Sequence, residues 1–164
     1  MFNEPDSDPE ILASVKASAG RRFLGLGSLY ILSLMVIYVA ITNPPELGWQ
    51  VFLFALGGGS LWISEMMRRA TSHRLELTLE ELRDSSGVVL ARIDEIASLD
   101  RGTFAFKPSN GFLLRLSRKG TRVWRPGLWW QLGSRIGVGG MTPGPQTKFM
   151  AEMISAMIAE REAG

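Results

Sequence analysis

The chain has 164 residues and a formal net charge of +2. This length leaves room for two apolar helices and one domain of roughly 90 residues, but not for a further independent domain. It contains no cysteine and a single histidine, His73. Disulfides, thiolate metal sites, cysteine nucleophiles and two-histidine metal sites are therefore excluded.

Charge is distributed unevenly along the chain. Residues 1–20 carry four acidic side chains and one lysine, whereas residues 68–141 carry thirteen basic and seven acidic side chains. The second segment is expected to be attracted to anionic lipid headgroups, by about 1 kcal/mol for each well-placed Lys or Arg. Because no nucleic-acid recognition motif accompanies this charge, nucleic acid is not expected as a partner.

Residues 1–20 are predicted to form a cytoplasmic acidic leader. Asp8 can cap a helix that begins at Pro9 and carries Glu10 in its first turn. The apolar residues of such a helix would share one face: Ile11, Leu12 and Val15. A short helix lying on the membrane or on the domain is one interpretation, and a frayed terminal segment is the other.

Residues 21–69 predict a transmembrane hairpin with spans at about 23–41 and 47–67. The first span has no ionisable side chain and is apolar on every helical face, and a bilayer core about 30 Å thick requires roughly 20 such residues. The second span carries Gln50 and Glu65 near its two ends. One span followed by an interfacial segment is the alternative.

Paired arginines bracket the hairpin and set its expected orientation. Two arginines precede the first span and two follow the second, whereas the connecting loop carries one charged side chain, Glu46. The same loop contains Pro44 and Pro45, which cannot continue a helix and so favour a sharp reversal. The positive-inside rule then places both termini in the cytoplasm.

A cluster of small residues interrupts the second span. Ala55 and Gly59 have the small-xxx-small spacing that lets helix backbones approach closely, and Gly25 marks a similar position in the first span. The candidate packing or docking residues are Gly25, Ala55, Gly57, Gly58, Gly59 and Ser60. They are expected either to pack the two helices of the hairpin together or to dock the hairpin onto another membrane protein.

Residues 72–162 are predicted to form one cytoplasmic domain. From Leu75 onwards, apolar and polar residues alternate, which is typical of strands with one buried face. Turn residues, for example at 84–87, separate the apolar segments. The expected strands cover residues 75–79, 88–90, 93–99, 103–107, 112–116, 123–124 and 134–138. So many short strands favour an antiparallel sheet, sandwich or barrel over alternating β/α units.

The period becomes helical again after Gly140. Thr142 can cap a helix that begins at Pro143 or Pro145. Its apolar face would contain Phe149, Met150, Met153, Ile154, Met157 and Ile158. Such a stripe usually packs against a core, so this helix is expected to close one end of the sheet.

Several short sequence elements within residues 72–160 carry a resemblance to a known family. They are Leu77, Thr78 and Leu79; Glu81 and Leu82 before Ser86 and Gly87; Ile93, Asp94, Glu95 and Ile96; Gly137, Val138, Gly139 and Gly140; and the helix at 148–158. With the preceding hairpin, they make the chain resemble the small bacterial PH-like domain proteins anchored by an N-terminal transmembrane hairpin.

This resemblance implies a membrane-anchored α+β fold, in which two transmembrane helices precede a PH-like antiparallel β-barrel or sheet capped by a C-terminal helix. It also implies a multi-pass protein of the bacterial inner membrane without an assigned reaction. Eukaryotic relatives of the superfold often bind phosphoinositides through a basic loop between the first two strands. Here that loop contains Glu80, Glu81 and Asp84 with Arg83 as its only base, so phosphoinositide binding is not expected.

Basic side chains gather instead on a later predicted hairpin, without an intervening acid: Arg115, Arg118, Lys119, Arg122 and Arg125. A solvated strand surface, contact with anionic lipid and binding of an acidic protein partner are the open interpretations of this basic surface. The acidic residues 4–10 of the same chain can themselves serve as that partner.

Trp129 and Trp130 are the most unusual local feature of the domain. Adjacent residues of a strand point to opposite faces, so one ring can enter the core while the other faces lipid, water or a partner. A Trp beside basic residues suits an interfacial membrane anchor. Burial of both rings through a loop is the alternative.

No pattern typical of catalysis is present in the sequence. The chain lacks G-x-S-x-G, P-loop and H-E-x-x-H patterns, and Asp94, Glu95 and Asp100 are expected to diverge along a strand. No enzyme activity, metal or cofactor is therefore expected. The sequence favours a non-catalytic membrane-anchored adaptor or assembly factor that binds a membrane protein partner or a second copy of itself. The alternative is a peripheral sensor of anionic lipid headgroups that uses the basic hairpin and a Trp.

Overall fold

The computed structural model describes residues 9–102 and 108–164 of the chain. These residues form two long apolar helices, antiparallel sheets and a C-terminal helix, so the predicted α+β class is confirmed at this level. The acidic residues of the leader before Pro9 and the strand expected at 103–107 lie outside the described residues.

Helices α1 (Ala19–Thr42) and α2 (Leu47–Ala70) contain the two predicted spans. Both are long and apolar enough to cross a membrane, and 11% of the apolar window of each is buried inside the protein. The two helices pack against each other as a hairpin. Near the loop, Gln50 Nε2 donates to the Ala40 carbonyl over 3.1 Å. Tyr30 Oη donates to Glu65 Oε2 over 3.4 Å towards the other end.

The first sheet has the order β1-β2-β3-β4 and begins before the hairpin. Its strands are β1 (Ala13–Lys16), β2 (Arg74–Leu77), β3 (Glu81–Asp84) and β4 (Val89–Arg92), each antiparallel to its neighbours. Both interpretations of the leader, a short helix and a frayed segment, are therefore wrong at Ala13–Lys16. Ala13 and Val15 are buried while Ser14 and Lys16 are exposed, and this period of two is that of a strand.

Because β1 pairs with β2, the helical hairpin is inserted between two neighbouring strands of one sheet. Ala13 lies opposite Leu77, and Lys16 lies opposite Arg74, which follows α2 by four residues. The domain thus begins at β1 and not at residue 72. The hairpin connects two adjacent strands in the way that a long loop would.

Two further expectations for this sheet are wrong. The acidic segment after Leu79 was expected as a loop, but Glu81–Asp84 is the strand β3, whose Leu82 is buried between polar neighbours. The chain reverses at Thr78 instead, whose Oγ1 donates to the Glu81 carbonyl over 3.1 Å. Leu79 consequently falls in the turn, where its side chain is 65% exposed, and it does not share the buried face of Leu75 and Leu77.

The second sheet has the order β5-β6-β9-β8-β7 and is also antiparallel throughout. Its strands are β5 (Ile96–Asp100), β6 (Phe112–Leu116), β7 (Val123–Arg125), β8 (Trp129–Leu132) and β9 (Arg135–Val138). A short 3₁₀ turn at Ile93–Glu95 connects β4 to β5.

The C-terminal helix α3 (Gly144–Ala163) packs against β1 and β5 and buries Met150, Ala151 and Ile154 in the common core. The predicted C-terminal helix is confirmed, but two details of it are wrong. Phe149 is 52% exposed, because it lies at the edge of the apolar stripe. Thr142 makes no capping hydrogen bond, and Pro143 occupies the N-cap position.

One end of the second sheet contacts the ends of the helical hairpin. The Ser18 amide donates to the Met141 carbonyl over 2.8 Å, and the Met141 amide donates to the Gly127 carbonyl over 2.9 Å. A Cβ added at Gly127 would lie 3.0 Å from Thr71 Cγ2 at the end of α2. We call this the near end of the sheet. The far end, at Leu116 and Leu132, is roughly 13 Å away along the strands.

Candidate functional site

The small residues of α2 divide between two faces of the helix. Gly57 faces α1, where an added Cβ would lie 2.5 Å from Ile37 Cγ1 and 3.3 Å from the Ser33 carbonyl oxygen. A side chain larger than hydrogen would separate the two helices at this level. Gly57 therefore packs the hairpin internally, as one of the two interpretations of the sequence requires.

Ala55, Gly58 and Gly59 are exposed on the other side of α2. A Cβ added at Gly58 or Gly59 would meet nothing within 4 Å. At about 100° per residue, these three positions lie within roughly 100° of one another, and Gly57 lies across the helix from Ala55. We call Ala55, Gly58 and Gly59 the α2 notch.

The other two small residues singled out by the sequence do not belong to this notch. Gly25 faces the domain, where an added Cβ would collide with the Met141 side chain. Ser60 is half-buried, and its carbonyl accepts a hydrogen bond from Ser64 Oγ over 2.7 Å within α2. Gly25 thus lies at the contact between α1 and the domain and is not part of the notch on α2.

Four of the five predicted basic residues gather towards the far end of the second sheet. Arg115 is exposed near the end of β6, and Arg118, Lys119 and Arg122 are exposed in the connection to β7. Arg118 Nη2 lies 2.5 Å from Glu95 Oε1, which neutralises part of the group. Arg125 lies apart from them, at the near end of β7.

Sequence reasoning missed Arg135, which lies directly opposite Arg115 in the β6–β9 pair. Both side chains are exposed, so this pair concentrates positive charge on one face of the sheet, and like charges at opposed positions repel each other. Alternation in the predicted strand 134–138 was the available signal, since it puts Arg135 on the solvent face. The pairing of that strand with β6 could not be inferred from the local sequence.

The adjacent tryptophans point to opposite faces of β8. Trp129 is 1% exposed and belongs to the core, whereas Trp130 is half-buried and lies over Gly137 of β9. Trp124 of β7 is directly opposite Trp130 and is 54% exposed. The exposed face of the sheet therefore carries a cross-strand tryptophan pair, of which sequence reasoning identified one member.

No group of three or more His, Cys, Asp or Glu side chains is placed to hold a metal ion among the residues that the structure describes. Two of the carboxylates singled out by the sequence face arginines instead. Asp94 lies 3.4 Å from Arg92 Nε, and Glu95 accepts from Arg118. His73 Nδ1 lies 3.4 Å from Ser85 Oγ.

Comparison with family models, with curated proteins and with solved structures found no match for this chain.

Proposed function

We propose that this protein is a non-catalytic adaptor or assembly factor, anchored in the bacterial inner membrane by the α1–α2 hairpin, that binds a membrane protein partner through α2. The observation that carries the proposal is the α2 notch, which leaves backbone exposed on the outer face of an apolar helix. Because Gly57 already packs the hairpin internally, the notch is left over for a second helix.

Exposure of apolar side chains supports the membrane anchor. Phe23 is 78% exposed, and large apolar side chains remain exposed along both helices, including Leu34, Ile41, Leu47, Val51 and Trp62. A core helix of a soluble protein buries such residues on at least one face, whereas lipid accepts them on all sides. Paired arginines at the domain end of both helices favour cytoplasmic termini.

A transmembrane helix fits the α2 notch better than a soluble ligand does. Small residues spaced by four let two helix backbones approach closely, and close packing drives helix association in lipid, where apolar burial does not. Trp62 and Phe52, both exposed, flank the notch above and below and provide further contact surface. A second copy of this chain would satisfy the same chemistry and is an outcome of the experiment.

The layout of the domain agrees with the proposed PH-like relationship. Short antiparallel strands form two sheets, and one C-terminal helix packs on the core between them. Such a domain supplies binding surface without catalytic machinery. We assign it the role of holding a partner at the cytoplasmic face.

Geometry favours the adaptor over a lipid sensor that uses the predicted basic hairpin. Arg115, Arg118, Lys119 and Arg122 lie towards the end of the sheet opposite to the helical hairpin. Their charge is therefore directed away from the near end and suits an acidic protein surface better than headgroups at the hairpin.

Purification of the full-length protein from membranes in mild detergent tests the adaptor. We expect Gly58→Leu and Gly59→Leu each to lower recovery of a stoichiometric membrane partner by about tenfold, since roughly 1.4 kcal/mol of lost packing has that effect. Gly48→Leu is the matched control, because Gly48 is also exposed in α2 with nothing near its added Cβ.

Cross-linking in the same membranes separates a second copy of the chain from a different protein. The proposal fails if the wild-type protein is recovered alone as a monomer. It also fails if both notch variants retain the partner as well as Gly48→Leu does.

A further inference from the structure

A cavity of about 340 Å³ lies at the near end of the second sheet. Its walls include Trp124, Arg125, Trp129 and Trp130, and its rim includes Gly127 in the turn between β7 and β8. This volume is at the lower limit for small-molecule sites, which suits a single headgroup-sized ligand. None of its described lining residues is acidic.

Two lining residues carry buried hydrogen-bond donors without a partner. Arg125 Nε and Trp129 Nε1 have no acceptor among the described residues. Arg125 and Trp129 are directly opposed in the β7–β8 pair, so the two side chains lie side by side on neighbouring strands. A buried unsatisfied donor costs about 1–3 kcal/mol, and more when it is charged, so the half-buried guanidinium group of Arg125, which lines the cavity, favours an acceptor there.

The charge of Arg125 and the residues that line the cavity determine which kind of acceptor fits. A guanidinium group pairs best with a planar or tetrahedral oxyanion, because its donors match two oxygen atoms. The tryptophan rings add apolar walls, and rings of this kind prefer the headgroup level of a bilayer. The matching ligand is an oxyanion attached to an apolar body.

The place of the cavity in the fold selects among such ligands. A Cβ added at the rim residue Gly127 would lie 3.0 Å from Thr71 Cγ2 and 3.3 Å from Met67 Cε. These residues are at the end of α2, where the hairpin would leave the bilayer. A ligand in the cavity therefore sits beside the headgroup layer of the proposed membrane.

We infer that the cavity between Trp124, Arg125 and Trp130 binds the phosphate of an anionic phospholipid headgroup. Arg125 supplies the positive charge and the donors of its guanidinium group. This inference rests on the membrane anchoring proposed above, but not on the partner at the α2 notch. It also assigns lipid contact to Arg125, apart from the four basic residues at the far end.

Native mass spectrometry of the delipidated full-length protein in detergent tests the inference. Phosphatidylglycerol and phosphatidylcholine with identical acyl chains are the probes. We expect one phosphatidylglycerol to bind, with a preference of about tenfold over phosphatidylcholine, as one charge-assisted contact provides. Arg125→Gln should abolish this preference.

Arg122→Gln is the matched control, because it removes the same charge from an exposed position at the far end. Arg125→Lys keeps the charge but loses the forked donors, and it should weaken phosphatidylglycerol binding several-fold. Circular dichroism establishes that each variant is folded, and Arg125→Lys decides the outcome if Arg125→Gln does not fold.

Three results would overturn the inference: equal binding of the two lipids, unchanged preference in the folded Arg125 variants, or an equal loss in Arg122→Gln. Inorganic phosphate distinguishes a soluble ligand, since phosphate that binds the delipidated protein as tightly as phosphatidylglycerol does would contradict a lipid site. Alkaline carbonate extraction separates the two proposals. Release of the protein by carbonate defeats the membrane anchor itself, whereas retention with no lipid preference defeats only this site.

Discussion

A single guanidinium group, that of Arg161, ties the last turn of α3 to the link between the two sheets. Arg161 Nη1 donates to the carbonyls of Ile93 and Asp94 over 3.0 and 3.1 Å, and Nη2 donates to that of Ile96 over 2.9 Å. These carbonyls belong to the irregular segment where β4 ends and β5 begins. Arg161 therefore satisfies backbone groups at the point where the chain passes from one sheet to the other.

Replacing Arg161 by Ala should lower the free energy of unfolding by about 1–3 kcal/mol, because several carbonyls lose charged donors at once. Arg161→Lys should recover part of the loss, since one ammonium group cannot reach all three acceptors in the same geometry. Thermal unfolding followed by circular dichroism of the full-length protein measures the effect. The exposed neighbour Glu162→Ala serves as the control, and an equal change there would contradict the assigned role.

The role of a single residue could be predicted from the sequence only where the local sequence pattern indicates it. Gly57 could be named as a member of the small-residue cluster, because small residues in an apolar helix already indicate close packing. The role of Arg161 could not be named, since its acceptors lie about 65 residues earlier. The donors at Arg125 and Trp129 were equally hidden, because an unsatisfied atom is a property of the packed fold.

At the scale of elements, the α1–α2 pair separates internal packing from external binding. Gly57 and Gly58 are adjacent in sequence, yet only Gly57 meets α1. The same substitution at the two positions should therefore have different effects. Internal packing affects the stability of the protein, whereas the notch affects what it binds.

Gly57→Leu should lower the free energy of unfolding by about 1–3 kcal/mol, the usual cost of overpacking, because its side chain must displace Ile37. Gly58→Leu should leave the stability of the purified protein unchanged while it weakens partner recovery. Thermal unfolding in detergent measures both variants. Equal destabilisation by the two substitutions would show that Gly58 is not on an open face.

Long, strongly periodic elements were predictable, and short ones paired over long distances were not. The hairpin, α3 and the strands with clear alternation follow from the sequence. Strand β1 was missed because four residues with two apolar positions fit a helix as well, and its partner β2 follows only after the whole hairpin. Strand β3 was missed because Leu82 is its only large apolar residue.

At the scale of the whole molecule, the domain sits directly on the helix ends. The Met141 carbonyl accepts from the Ser18 amide before α1, and Arg21 Nη1 reaches the Thr142 carbonyl over 3.4 Å. The α2 notch and the near-end cavity, the two surfaces proposed for binding, are therefore held together by contacts between the domain and the helix ends.

The absence of native cysteine makes the proposed orientation measurable with single-cysteine variants. We expect a membrane-impermeant maleimide to label Glu46→Cys in intact cells with a permeabilised outer membrane, because the hairpin loop would face the periplasm. Ser86→Cys, in the β3–β4 turn, should be labelled only after lysis. The reverse pattern would contradict cytoplasmic termini.

The insertion of the hairpin between β1 and β2 has a consequence for the order of events during synthesis. Strand β1 leaves the ribosome first, but its hydrogen-bonding partner is made only after both apolar helices. An unstructured connection of that length would impose a large loop-closure entropy, whereas a formed hairpin returns the chain to its starting point. Helix insertion would thus precede and assist completion of the sheet, and a fragment starting at residue 72 would leave β2 as an unpaired edge.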